Sequence, residues 1–202
     1  MPADPLPHGP LPERTIHLCV DMQNMFAEDT PWQAPWMKRV LPTIEMIAAR
    51  HPERTIFTRF MPPAEPDDLN GSWRRYYERW PQMTRSRLDP ELLELVEPLR
   101  RLVPPAKVVD KPFYSPFHAT ALARSLMDDR CEALVVSGAE TDMCVLAAVL
   151  DAVDLGIRVV LATDAVCSSS DETHDALMKL YHSRFSQQVE PTDTESILAT
   201  WS

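Results

Sequence analysis

The stretch VVSGAETDMCV, residues 135–145, predicts a buried strand that ends near a glycine and is followed at once by a helix. We place Thr141 as the N-cap of that helix, so that Cys144 lies in the first turn, where backbone N–H groups have no partner within the helix. The partial positive charge there favours a thiolate and makes Cys144 a candidate nucleophile. Taken alone, the stretch fits an ordinary cysteine equally well, because free cysteine is among the most buried residue types.

Outward from this stretch, predicted strands and helices alternate along the chain. Strands are predicted at residues 15–20, 54–59, 106–110, 132–136, 157–163 and 187–190, and helices at 38–50, 91–101, 120–129, 141–155, 169–181 and 194–199. Such alternation is typical of βαβ units, so we expect an α/β fold: a three-layer, mostly parallel, doubly wound sheet with helices on both faces. The ligand crevice of such sheets lies at the carboxyl ends of the strands.

The length of 202 residues suits one domain, which we assign to residues 15–202. Residues 1–14 are rich in proline and are predicted to form an extended N-terminal tail outside the core. Residues 61–90 are the least regular part of the domain and carry an aromatic and basic run at 73–80. Long irregular loops are usually functional, so we interpret this segment as an insertion near a pocket. A surface excursion or a subunit interface fits the sequence equally well.

Composition narrows the classes of function. The formal net charge of −10 argues against a nucleic-acid partner and against an anionic membrane surface. No apolar stretch is long enough to span a bilayer, and the N-terminus lacks the basic and apolar regions of a secretory signal. The four widely spaced cysteines therefore predict reduced thiols in a cytoplasmic protein, with a small molecule as the expected partner.

Three residues with complementary chemistry are predicted to meet at the carboxyl edge of the sheet. Asp21 follows the first strand, Lys111 follows the third, and Cys144 follows the fourth. A carboxylate beside a thiol can remove its proton and later deliver that proton to a leaving nitrogen, and a lysine stabilises both anions. Considered alone, Asp21 is also typical of a turn residue, and Lys111 is also typical of a solvent-exposed lysine in a loop. Together, the three predict nucleophilic catalysis.

The residues around these three positions resemble those of a known family. Residues 20–26 (VDMQNMF), 109–117 (VDKPFYSPF) and 138–145 (GAETDMCV) are similar to motifs of the isochorismatase-like cysteine hydrolases, and the resemblance covers nearly the whole chain from residue 15 onward. This family includes nicotinamidases, N-carbamoylsarcosine amidohydrolases and ureidoacrylate amidohydrolases.

The resemblance implies a sheet order of 3-2-1-4-5-6 and a catalytic triad of Asp21, Lys111 and Cys144. It also implies a cis peptide bond between Ala139 and Glu140, with the backbone N–H groups of Glu140 and Cys144 forming the oxyanion hole. The implied reaction is C–N bond hydrolysis of a small amide, carbamoyl or ureido substrate through a thioester. Homodimers or homotetramers are the implied assembly.

The sequence departs from the family at the metal site. Nicotinamidases bind a metal through an Asp-x-His pair and a further histidine after the second strand, whereas this chain reads RFMPP at residues 59–63. We therefore predict no metal and no cofactor, which disfavours nicotinamidase activity. Two other activities stay open: a non-catalytic small-molecule-binding protein with the same fold, and a vinyl-ether hydrolase of the isochorismatase type. A nucleotide-binding dehydrogenase is disfavoured, because the first strand is not followed by Gly-x-Gly-x-x-Gly.

Candidate substrate-binding residues are those that flank the motifs or follow a strand. Arg59 ends the second strand and is suited to hold a substrate carboxylate, although an ion pair with one of the many acidic residues is an equally ordinary role. Aromatic residues are predicted to wall or cover the pocket; as plain core residues they would look the same in sequence. They are Phe26, Tyr114, Phe117 and, from the irregular segment, Trp73, Tyr76 and Trp80.

Overall fold

The computed structural model describes residues 6–202, which form one six-stranded sheet with every strand parallel to its neighbours. The order is β3-β2-β1-β4-β5-β6, so the predicted doubly wound α/β fold and its strand order are confirmed. The strands are β1 (Thr15–Val20), β2 (Thr55–Phe60), β3 (Lys107–Lys111), β4 (Ala133–Ala139), β5 (Arg158–Cys167) and β6 (Val189–Thr192).

Eight α-helices accompany the strands in the described part of the chain. They are α1 (Asn24–Ala27), α2 (Met37–Arg50), α3 (Gly71–Arg79), α4 (Glu97–Arg100), α5 (Leu122–Asp128), α6 (Cys144–Asp154), α7 (Asp171–Ser183) and α8 (Thr194–Thr200). Short 3-10 turns lie at Pro52–Arg54, Pro66–Asp68, Pro81–Met83 and Pro90–Leu93. No helix within residues 6–202 is long and apolar enough to cross a membrane.

Two separate hydrophobic cores, one on each face of the sheet, give the molecule its three layers. Side chains alternate between the faces along a strand, so Val135 of β4 joins one core while its neighbours Leu134 and Val136 join the other. The Val135 core is completed by α2 and α8, and the Leu134 core by α5, α6 and α7. Both faces being covered explains why the central strands are almost wholly apolar.

The central strand β4 extends to Ala139, beyond its predicted end, and Gly138 makes this possible. Gly138 has a φ of +111°, and a Cβ at this position would lie 2.1 Å from the main-chain oxygen of Val20. No other residue fits so close to β1, with which Gly138 pairs in register through Val20. The glycine therefore determines where the loop to Cys144 begins.

The prediction of an extended tail outside the core is wrong for residues 6–14, the part of that segment that the structure describes. Leu6 and Leu11 are buried in the core beneath α2 and α8, and the N–H of Leu11 donates to the carbonyl of Thr200 at 3.2 Å. The guanidinium of Arg158 donates to the carbonyls of Gly9 and Pro10 and pairs with buried Glu190 at 2.6 Å. Two leucines within a proline-rich run show no periodicity, so the sequence did not reveal this packing. Residues 1–5 of the predicted tail lie outside the described residues.

The irregular segment 61–90 is a folded part of the domain. It contains α3, whose Tyr77 is fully buried and whose Trp73 and Tyr76 pack against the same core. The helix predicted at 91–101 is instead broken between Leu93 and Glu97. The break occurs because the main chain of residues 94–96 hydrogen-bonds to residues 22–24, which an unbroken helix would prevent.

A buried histidine makes folding sensitive to acid. His17 is fully buried on β1 between Ser137 and Thr55, and its Nε2 lies 2.7 Å from the Ser137 hydroxyl. Burial lowers the pKa of His17 from 6.5 to about 3. Below about pH 6.5, His17 therefore binds a proton in the unfolded chain but not in the folded chain. The folded state loses stability as the pH falls for this reason.

We expect the free energy of unfolding to fall by about 1.4 kcal/mol more per pH unit in the wild type than in His17→Gln between pH 6 and pH 4. The glutamine keeps a polar, non-titrating side chain at the position, although its stability at pH 7 will be lower. Urea unfolding at several pH values measures the two slopes. The matched control is the exposed His182→Gln, which should keep the wild-type slope. Equal slopes for His17→Gln and the wild type would contradict the role of His17.

Candidate active site

Asp21, Lys111 and Cys144 come together at the carboxyl edge of the sheet. Asp21 directly follows β1, Lys111 is the last residue of β3, and Cys144 is the first residue of α6. The Asp21 Oδ2 lies 2.7 Å from the Lys111 Nζ, and both side chains are completely buried. The Cys144 thiol lies close enough to both for their charges to act on its pKa. The structure thus joins three residues that are far apart in the sequence into one cluster.

Lys111 is held from several sides. Its Nζ donates to the main-chain oxygens of Phe113 at 3.0 Å and Tyr114 at 2.9 Å, and it lies 5.0 Å from the centre of the Phe60 ring. Burial by itself would lower the pKa of Lys111, but the charge of Asp21, with a further contribution from the neighbouring Cys144, outweighs it, and the pKa is raised above its ordinary value. Lys111 therefore stays protonated as a fixed positive charge.

The environment of Cys144 opposes ionisation of its thiol. The residue is only 7% exposed, and burial raises the pKa of its thiol; Lys111 acts in the opposite direction but does not overcome it. Burial therefore opposes the thiolate that a helix N-terminus favours. The Asp21 carboxylate acts on the same thiol, and a carboxylate is a group that can accept a thiol proton.

The loop before Cys144 differs from the predicted capping arrangement. The helix begins at Cys144 with Met143 as its N-cap, whereas the N–H of Thr141 donates to the Cys167 carbonyl and its hydroxyl lies 2.8 Å from the Nδ1 of His174. Thr141 thus ties the loop to β5 and α7, and its prediction as the N-cap is wrong. The Ala139–Glu140 peptide bond is cis.

The backbone N–H of Cys144 opens the helix and so has no acceptor inside it. The Glu140 carbonyl accepts instead from the N–H groups of Met143 and Val145, both at 3.1 Å. This pattern turns the start of α6 into a position where the N–H of Cys144 is available to an oxygen of a bound molecule.

Thr58 of β2 holds Asp21, and sequence reasoning missed it. Asp21 has a φ of +50°, an unusual conformation for a residue other than glycine. Its N–H donates to the Thr58 hydroxyl at 3.1 Å, and that hydroxyl donates to the Asp21 Oδ1 at 2.5 Å. A threonine near the end of an apolar strand beside β1 was the available signal, but its partner is visible only in the structure.

We expect Thr58→Val to lower kcat/KM about 10- to 100-fold. A hydrogen bond to a charged group contributes about 1.5–3 kcal/mol, and Thr58 makes one to the Asp21 carboxylate. Thr58→Ser keeps the hydroxyl and should restore most of the activity. The measurement is steady-state kinetics with an amide that the wild type hydrolyses, alongside urea unfolding. Wild-type kinetics in Thr58→Val would show that Asp21 is positioned without this contact.

A cavity of about 260 Å³ opens onto Cys144. Six aromatic side chains line it: Phe26, Trp32, Phe60, Tyr76, Trp80 and Tyr114. Phe26 and Tyr114 were predicted as wall residues, and Tyr76 and Trp80 show that the segment 61–90 supplies part of the wall. Trp32 and Phe60 were not singled out from the sequence. Glu140 and Asp142 also border the cavity.

Three residues predicted to contact substrate do not line this cavity. Arg59 is bound by two carboxylates: Asp110 accepts from its Nε and Nη2 at 2.7 and 3.0 Å, and Glu94 accepts from its Nη1 at 2.7 Å. Trp73 packs behind the wall, 4.6 Å from the Tyr114 ring centre. Phe117 packs against the core beneath α5 and α6. The direction of each side chain and its partners from distant parts of the sequence keep these three residues out of the cavity lining. Neither property can be predicted from a local sequence pattern.

The position that carries a metal in nicotinamidases lacks suitable donors here. Met61 and Pro62 follow β2, and the nearby carboxylate of Asp110 is occupied by Arg59. Within residues 6–202, no group of three or more His, Cys, Asp or Glu side chains is placed to hold a metal ion. The residues present do not fit the metal site.

A family model described as the isochorismatase domain matches residues 15–196. The fold and the site agree with this match, and the chain therefore belongs to the isochorismatase family of hydrolases. Nicotinamidase 3 of Arabidopsis thaliana is 27% identical over 162 residues, which cover 80% of this chain and 77% of that protein.

Solved structures share the fold over nearly the whole chain. A cysteine hydrolase from Pseudomonas syringae pv. phaseolicola has a TM-score of 0.79 and 23% identity, covering 98% of this chain and all of its own. The pyrazinamidase of Pyrococcus horikoshii, solved in complex with zinc, has a TM-score of 0.68 and 21% identity, covering 90% of this chain and 99% of its own. At these identities the likeness concerns the fold alone.

Proposed function

We propose that this protein is a metal-independent cysteine amidohydrolase that cleaves the C–N bond of a small amide, carbamoyl or ureido substrate. The observation that carries the proposal is the buried cluster of Asp21, Lys111 and Cys144 at the base of an aromatic cavity. The relatives named for nicotinamide and pyrazinamide hydrolysis support an amide as the substrate.

In the proposed reaction, Asp21 takes the proton of the Cys144 thiol as the sulfur attacks the carbonyl carbon of the substrate. The resulting oxyanion accepts hydrogen bonds from the backbone N–H groups of Glu140 and Cys144. Protonated Asp21 then donates to the leaving nitrogen, the C–N bond breaks, and a thioester remains on Cys144. Water, deprotonated by Asp21, attacks the thioester and releases the acid and the free thiol.

Lys111 supplies a permanent positive charge to this cycle. It lies 2.7 Å from Asp21 and beside the thiol, so it stabilises the carboxylate in the resting protein and the thiolate during attack. Its contacts to two main-chain oxygens keep the ammonium in place while the proton moves between Asp21 and the substrate.

Ammonia release is the direct test. Primary amides, carbamoyl amino acids and ureides are screened with the wild-type protein, and Cys144→Ala is the blank in every assay. Release that depends on Cys144 supports the proposal. Binding of these compounds without any turnover would favour the non-catalytic binding protein, and cleavage of a vinyl ether would favour the isochorismatase-type reaction.

Metal independence is tested separately. We expect EDTA and a zinc chelator to leave the ammonia-releasing activity within about twofold of the untreated protein, because the donor set after β2 does not suit a metal ion. The measurement is the initial rate after dialysis against chelator, with and without added zinc. Loss of activity with chelator that zinc restores would overturn this expectation.

A further inference from the structure

Two acidic residues line the cavity that opens onto Cys144. Among its described lining residues, the ionisable acidic or basic ones are Glu140 and Asp142. The Glu140 charge lies close enough to the lining residues Tyr76 and Tyr114 to raise the pKa of both hydroxyls, after the larger effect of burial. The remaining wall is largely aromatic, formed by the six rings named above. A cavity with carboxylates set among aromatic rings has the chemistry that binds a cation, because ring faces attract positive charge and carboxylates pair with it.

The nearby positive charges are committed elsewhere. Lys111 is buried against Asp21 and two main-chain oxygens, and Arg59 is bound by Asp110 and Glu94. Arg79 stacks over the ring of Trp80 at 5.4 Å but does not line the cavity. A substrate carboxylate in the cavity would therefore meet aromatic faces and two carboxylates, without a lining cation to pair with.

Each of the two carboxylates accepts a hydrogen bond at one of its oxygens, and in both cases the donor is an uncharged group. The Oε1 of Glu140 accepts from the N–H of Ser169 at 3.0 Å, and the Oδ1 of Asp142 accepts from the hydroxyl of Ser168. Both donors belong to the loop that follows β5. Burial raises the pKa of Glu140, and the bonds from Ser169 offset this only in part. A positive ligand group beside these carboxylates would compensate for the burial.

We propose that the cavity selects carboxamides whose acyl part carries a positive charge, and that Glu140 and Asp142 determine this preference. The orientation of the carboxamide toward Cys144 rests on the proposed amidohydrolase function, whereas the charge preference is a property of the cavity walls. The net charge of −10 favours the approach of cations as well.

The test uses three nearly isosteric probes: protonated 3-(aminomethyl)benzamide, neutral 3-ethylbenzamide and anionic 3-carbamoylbenzoate. Their dissociation constants are measured at pH 7.5 by calorimetry on Cys144→Ala, so that no turnover is needed. We expect the cation to bind at least about tenfold more tightly than the anion, with the neutral compound in between. Adding Glu140→Gln and Asp142→Asn together should bring the three constants within about threefold of one another.

The matched control is Glu172→Gln, which neutralises an exposed carboxylate at the start of α7 that does not line the cavity. It should leave the order unchanged. The proposal is overturned if the anion binds as tightly as the cation, if the order survives the double substitution, or if none of the probes binds. A wild type that releases no ammonia from any amide, while the charge order holds, would contradict the proposed function and leave the charge selectivity standing.

Discussion

Cys144→Ser should lose at least about 10⁴-fold in kcat/KM for amide hydrolysis while the protein remains folded. Loss of the nucleophile of the Ser-His-Asp triad of subtilisin reduces kcat by about 10⁶-fold, because the members of that triad act as a unit. A serine hydroxyl is far less acidic than a thiol, and the buried, already paired Asp21 carboxylate is a poor base for it. Steady-state kinetics with Cys144→Ala as the blank measures the loss.

The fold of Cys144→Ser is checked by circular dichroism and by urea unfolding, both of which should match the wild type closely. The sulfur-to-oxygen change is small in volume, and the helix that begins at this residue is stabilised by its apolar face rather than by the thiol. Retention of more than a tenth of the wild-type kcat/KM would remove Cys144 from its proposed role.

The second large effect concerns the ion pair. Asp21→Asn removes the proposed base and leaves the Lys111 charge buried without its partner, and Lys111→Met does the same to Asp21. Breaking a buried pair in this way costs about 3–5 kcal/mol of stability, whereas replacing both partners by neutral groups can be close to neutral. We therefore expect each single variant to be strongly destabilised and the double variant Asp21→Asn/Lys111→Met to recover much of that stability.

Activity should behave differently from stability in the same set of variants. The single and double variants are all expected to lose at least about 10³-fold in kcat/KM, because the base is absent or has lost its fixed cation. The rate at which iodoacetamide alkylates Cys144, followed by mass spectrometry, measures the reactivity of the thiol without any substrate. It should slow in Lys111→Met, which removes the positive charge that lowers the pKa of the Cys144 thiol, with partly exposed Cys131 as the internal reference. A double variant that regains activity together with stability would reduce Asp21 and Lys111 to structural roles.

Much of the fold was predictable because its signals are local. The apolar runs around Val135 and Val160 predict buried strands, and the periodicity of Val40, Ile44 and Ile47 predicts α2. Strands alternating with helices then imply a parallel sheet, which the structure confirms in both layers and order. The errors occur where long-range contacts override local pattern. Leu6 and Leu11 join the core from a proline-rich segment, and the main chain at residues 94–96 bonds to residues 22–24.

The candidate site also contains some residues that could be predicted from the sequence and others that only the structure reveals. A parallel sheet brings the carboxyl ends of its strands to one edge, so residues that end or follow strands can be placed near one another from sequence. Asp21, Lys111 and Cys144 obey this rule. Thr58 was missed because its importance lies in one hydroxyl that contacts a residue 37 positions away. Arg59, its neighbour on β2, was assigned to substrate although Asp110 and Glu94 hold it.

The sequence by itself determined the fold class, the strand order implied by its motifs, and the three residues of the cluster at the sheet edge. The fold class follows from strand and helix periodicity, which is a property of neighbouring residues, whereas the strand order is what the resemblance of the motifs to a known family implies. The tertiary structure alone showed that burial raises the pKa of the Cys144 thiol, that Arg59 serves an ion pair, and that Glu140 and Asp142 are among the residues that line the cavity. Burial and charge pairing depend on groups brought together from distant parts of the chain, and these determine protonation and selectivity.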